Sequence, residues 1–115
     1  MTDFVHYDGE LFRINEEVNG IEYSANEGRT WTIRYFGNSI GRFIQLAKFG
    51  DRLLVCTTQG VFQSTTRARN WTPLYTGKLI GAFESLKEIG KKLVAKTSKG
   101  MVYSNDGGEL WMPML

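Results

Sequence analysis

The chain has 115 residues, 42% of them hydrophobic and 13% aromatic, which is the content of a globular domain and excludes a disordered segment. A formal net charge of +2 with acids and bases interspersed gives no strong nucleic-acid signal, and a single cysteine, Cys56, excludes an internal disulfide. With His6 the only histidine, no His/Cys metal site is expected within one chain. No run is long and apolar enough to cross a membrane as a helix, and the first residues lack the pattern of a secretion signal, so a cytoplasmic location is expected.

The elements predicted along the chain are short antiparallel strands, with no sustained helical periodicity. In the first third, Leu11 to Gly20 is two residues longer than the matching Leu53 to Gly60, which makes Asn15-Glu16-Glu17-Val18-Asn19 a long acidic hairpin tip. Counting back from Leu11 sets Met1 against Phe43 and Phe4 against Leu46, so the chain should begin in an innermost strand. In the middle third, Arg42 to Phe49 runs into the hairpin signal Gly50-Asp51. Arg52 to Thr58 follows, rich in Leu, Val and Thr, with Cys56 as a half-buried strand thiol. Val61 to Thr65 and Asn70 to Tyr75 complete the unit, Pro73 requiring the last of these to lie at a sheet edge. The final third repeats the middle one at a forty-residue interval: Tyr35 falls on Tyr75, Gly41 on Gly81, Phe43 on Phe83, Leu53 on Leu93 and Thr57 on Thr97. Leu115 falls opposite Tyr75. Four strands per unit at a period near forty predict propeller blades. The fold class expected is all-β, with three four-stranded blades in one domain, at about residues 1–35, 40–75 and 80–115.

Each unit carries a serine and a tryptophan seven residues apart. Ser104-Asn105-Asp106-Gly107-Gly108-Glu109-Leu110-Trp111 resembles the Asp-box, or BNR motif, of sialidase-like propellers, with Ser104, Asp106, Gly108 and Trp111 in the motif positions. The first copy keeps Ser24, Gly28, Thr30 and Trp31 but has Asn26 for the aspartate. The second keeps Ser64 and Trp71, with Thr66 and Ala68 replacing Asp and Gly. Serine and Asp or Asn side chains accept backbone N–H bonds in tight turns, Gly supplies positive φ, and Trp covers the turn. The resemblance implies a structural role, joining the third and fourth strands at the periphery of a blade. It also implies what a sialidase would need: an arginine triad, a tyrosine paired with an acid, and an acid/base aspartate. Only Arg42 stands on an innermost strand, so no catalytic residue is assigned and an enzyme is not expected.

Closed rings have four to eight blades, so three blades leave two apolar faces to be covered. Two copies head to tail make six blades under a two-fold axis, and a homodimer is expected. A fragment of a longer propeller is the alternative. Positions that differ between blades on the channel side mark the candidate binding surface: Arg42 and Lys78 for charge-assisted bonds, and Asn38, Gln45 and Glu84, with the shared Tyr35 and Tyr75 beside the differing loops for stacking. The function expected is non-catalytic binding of a small anionic ligand, nucleotide-like, or of a glycan, at the channel mouth, without metal or cofactor. A structural or protein-interaction subunit, and a glycosidase-like enzyme with a site formed only in the dimer, are the alternatives.

Overall fold

The computed structural model describes residues 4–114, so the expected matches of Met1 with Phe43 and of Leu115 with Tyr75 lie outside the described residues. Twelve strands fall into three antiparallel four-stranded meanders among those residues. The first sheet is β1 (Val5–Tyr7), β2 (Glu10–Asn15), β3 (Gly20–Ser24) and β4 (Thr32–Phe36). The second is β5 (Phe43–Phe49), β6 (Arg52–Thr57), β7 (Gly60–Ser64) and β8 (Thr72–Tyr75). The third is β9 (Lys87–Ile89), β10 (Lys92–Thr97), β11 (Gly100–Ser104) and β12 (Met112–Pro113). Each sheet is one blade. The innermost strands β1, β5 and β9 are neighbours, and Pro73 lies in the outermost strand of its blade, where its missing N–H is tolerated.

The blades stack face to face through two buried clusters. Leu53, Val55 and Phe62 of blade two pack on Phe12, Ile21 and Tyr7 of blade one. Leu54, Cys56 and Val61, pointing the other way from the same strands, pack with Leu86, Leu93, Ala95, Val102 and Trp111 of blade three. Alternation along β6 therefore feeds two cores, and Leu53 through Cys56 are all fully buried. Cys56 is consequently not half-buried as expected but wholly enclosed, and burial pushes its thiol pKa up to about 12.

The linkers between blades turn on Gly41 and Gly81, at φ 93° and 95°. A Cβ on Gly41 would also stand 2.7 Å from Thr58 Oγ1, so glycine is required twice over. Thr57 and Thr97 donate to the carbonyls of Ile40 and Ile80 at 2.6 Å, fastening each linker to the blade that follows it.

Candidate functional site

Every blade has two ends with different chemistry. At one end β3, β7 and β11 run into the Ser/Trp turns. In the third, Ser104 Oγ donates to Asp106 Oδ1 at 2.8 Å and accepts the Gly108 N–H at 2.9 Å. Asp106 Oδ1 also accepts the N–H groups of Glu109 and Leu110 at 3.1 and 3.0 Å, and Trp111 Nε1 donates to the Gly108 carbonyl at 2.8 Å. These bonds to the ionised form, chiefly that from Leu110, hold the Asp106 carboxyl below its ordinary pKa. Ser24, Asn26, Gly28 and Trp31 repeat the arrangement, with Thr30 N–H donating to Asn26 Oδ1 at 3.0 Å.

The second turn keeps the path with different atoms. Ser64 Oγ accepts the Ala68 N–H at 2.9 Å, and Thr66 Oγ1 accepts the Asn70 N–H at 2.9 Å. Ala68 is held at φ 71° without the glycine that such a conformation favours. The buried Trp71 Nε1 has no hydrogen-bond partner among the described residues. All of these side chains are spent on their own turns.

The opposite end carries the linkers and the β2–β3, β6–β7 and β10–β11 turns, and every candidate binding residue lies at or next to it. Arg42 is exposed and its guanidinium reaches the Glu16 carbonyl at 3.4 Å. Tyr35 and Tyr75 pack edge-on against Phe43 and Phe83, with ring centroids 5.9 and 6.2 Å apart. Asn38 Oδ1 accepts from Asn19, Gln45 Oε1 accepts the Leu86 N–H at 2.7 Å, and Glu84 stands 3.8 Å from Lys96 Nζ. Lys78 is exposed beside the linker between blades two and three. Two clefts open here. One, of about 440 Å³, runs from Glu16 and Glu17 at this end past Ile44 and Gln45 to Arg13 and Glu22 in the middle of blade one. The other, of about 210 Å³, is lined by Thr58, Gln59, Lys78, Ala82 and Phe83. Gln45 and Lys78 thus belong to separate clefts, and Arg42 lines neither.

Three arrangements escaped the sequence. Asn19, buried at the tip of the first hairpin, donates to the carbonyls of Gly37 and Gly41 at 2.7 and 3.1 Å and accepts the Phe43 N–H at 2.8 Å. Arg34 lies 3.7 Å above the Tyr23 ring, pairs with Glu10 at 3.3 Å and donates to the Arg67 carbonyl at 2.7 Å, tying blade one to the second turn. Arg13 pairs with Glu22 at 2.7 Å while lying 4.0 Å over the Trp31 ring. Asn19 aligns with Gln59 and Lys99, so the repeat gave no signal for it. Arg13 and Glu22 align with Val55 and Phe62, a departure that was visible in the overlay.

Three twisted meanders stacked about their innermost strands are an arc of β-propeller. The same arrangement occurs in YCF48 from Cyanidioschyzon merolae, with a TM-score of 0.72 and 23% identity over 96% of this chain and 35% of that one. It occurs again in YCF48 bound to D1 peptide, with a TM-score of 0.69 and 17% identity over 96% of this chain and 43% of that one. The chain therefore spans less than half the length of these propellers. No family model and no curated protein matches it.

Proposed function

We propose that this propeller arc is a non-catalytic binding module whose linker end recognises a polypeptide segment. The observation that carries the reading is the pair of clefts at that end, one acidic and one beside a lysine, on a scaffold whose opposite end is consumed by its own turns. An extended chain laid across a blade junction would meet Glu16, Glu17 and Gln45 beside Ile14 and Ile44, the mixture of polar and apolar contacts a peptide uses. The peptide complex of YCF48 supports this by analogy of fold alone. The same proposal includes the Asp-box assignment of the three turns, a cytoplasmic location, and completion of the ring by a second copy.

The test is fluorescence anisotropy with labelled decapeptides, one set centred on Lys and Arg and one on Glu. Basic peptides should bind, and Glu16→Lys with Glu17→Lys should weaken them by about tenfold, the effect of reversing charge at a cleft rim. A smaller anionic ligand is the second reading, favoured by Lys78 beside the backbones of Gly77 and Gly81. Binding of a nucleotide but of no peptide, abolished by Lys78→Ala, would replace the first reading with the second.

A further inference from the structure

Blade one and blade three each have a face with no blade upon it among the described residues, and the two internal junctions show what each face would meet. On the face of blade one, Phe4, Leu11 and Trp31 occupy the positions of Leu46, Leu53 and Trp71, which are apolar in both internal junctions. At the centre, however, Arg13 and Glu22 stand where Val55 and Phe62 stand in blade two, and Ala95 and Val102 in blade three. On the free face of blade three, Val94, Lys96 and Met101 stand where Leu54, Cys56 and Val61 stand in blade two. Ile89, Met101 and Met114 are 52%, 44% and 48% exposed there, an apolar patch that Lys87, Lys92 and Lys96 surround.

Carried over from the internal junctions, the two faces fit each other. Phe62 lies in one buried cluster with Ile14, Ile21 and Tyr23, so Glu22 of one copy falls among Lys96, Met101 and Tyr103 of the next. The Glu22 carboxylate is already held by Arg13 at 2.7 Å and Asn15 at 3.2 Å, and Lys96 of the next copy adds a further cationic partner as it is enclosed. The periphery matches as well. In the first junction Arg67 of the second turn pairs with Asp8 at 2.6 Å. In the second, Gly107 lies against the Arg52 guanidinium. The corresponding positions across the open junction are Glu27, exposed at φ 62°, and Gly90 and Lys92, in the turn that also carries Lys91, so the sign of the first junction is reversed.

We infer that the ring is closed by a charge-coded junction, in which Glu22 and Glu27 on blade one of one copy meet Lys96 and Lys91–Lys92 on blade three of another. The inference rests on the ring-closing part of the proposed function and names its contacts. It commits the open faces to a second copy of this chain, because Glu22 and Glu27 on one face, with Arg13 beside them, complement Lys91, Lys92 and Lys96 on the other, with Glu84 beside them, head to tail and not face to like face. Each two-copy ring then contains the junction twice.

Sedimentation equilibrium of the whole chain at low and high salt tests it. The chain should have the mass of two copies, with a dissociation constant that rises at least about tenfold in high salt. Glu22→Lys and Lys96→Glu should each sediment as single copies. An equimolar mixture of the two should regain the two-copy mass, since one junction then carries the swapped pair and the other the native pair. Glu27→Lys and Lys91→Glu, both at exposed turns, repeat the test without touching a packed face. A wild-type chain with the mass of one copy, or of more than two, overturns ring closure itself. A two-copy wild type whose charge variants also pair leaves closure standing and overturns the charge code.

Discussion

Ser104 and Asp106 show how little chemistry a recurrent motif needs in order to hold a turn. Asp106 accepts two backbone N–H groups and the Ser104 hydroxyl, and its carboxyl is held below the ordinary range as a result. Its contribution to stability is complete above the pKa of an unfolded aspartate and is lost as pH falls through the lower folded value. Asp106→Asn should therefore flatten the acid limb of a stability–pH curve while leaving the neutral region within about 1 kcal/mol of the parent. An unchanged acid limb in urea titrations would remove Asp106 from that role. In the second turn, Thr66 Oγ1 reproduces only one of the two backbone bonds that Asp106 accepts. Thr66→Asp should stabilise the chain by about 0.5–1 kcal/mol, from an added hydrogen bond and the neighbouring Arg67 and Arg69 charges. A fall in melting temperature would contradict it.

Strands were legible because their signals are local: the Gly50-Asp51 hairpin turn, runs rich in Leu, Val and Thr, and a forty-residue echo. The long acidic tip after β2 is where the two extra residues placed it, with a turn at Glu16–Asn19. Blade three departs from its copy. The N–H groups of Glu84 and Ser85 both point at the Lys96 carbonyl, at 2.7 and 3.3 Å, and Lys96 N–H is taken by Ser85 Oγ. Blade two has a bulge at the same place, between Phe43 and Gln45, and β5 runs on through it, whereas in blade three Ser85 takes a ladder donor and β9 keeps only Lys87–Ile89, although Phe83 still bridges Thr97. The candidate binding residues read from the sequence all fall at the linker end of the blades, but they do not form a converging set. Their spacing encodes strand register, whereas convergence depends on side-chain reach across linkers. The first linker also shows what a repeat conceals, since Asn19, which clamps it together with Thr57, has no counterpart in the other blades. Asn19→Ala removes the partner of the buried Phe43 N–H and places alanine at φ 49°, and should cost about 2–4 kcal/mol in chemical denaturation. A loss below about 0.5 kcal/mol would show that the linker holds without it.

At the scale of the molecule, three blades are held by two junctions that share β6. Because Leu53 and Val55 serve one core while Leu54 and Cys56 serve the other, neither outer blade can leave without exposing the middle one. Stability in such an array is governed by neighbour-to-neighbour contacts. The sequence showed that faces would remain open, from blade number alone. It also held the substitutions at Arg13, Glu22 and Lys96, whose meaning emerges only when the internal junctions reveal which positions face outward. One consequence concerns β6 itself, a strand enclosed from both directions. A hydrophobic segment of this kind is safe in the assembled arc and hazardous on a nascent chain, where Leu53-Leu54-Val55-Cys56 would offer two adhesive surfaces at once. The interval between synthesis of the middle blade and arrival of the third is thus the period of greatest exposure to misassembly.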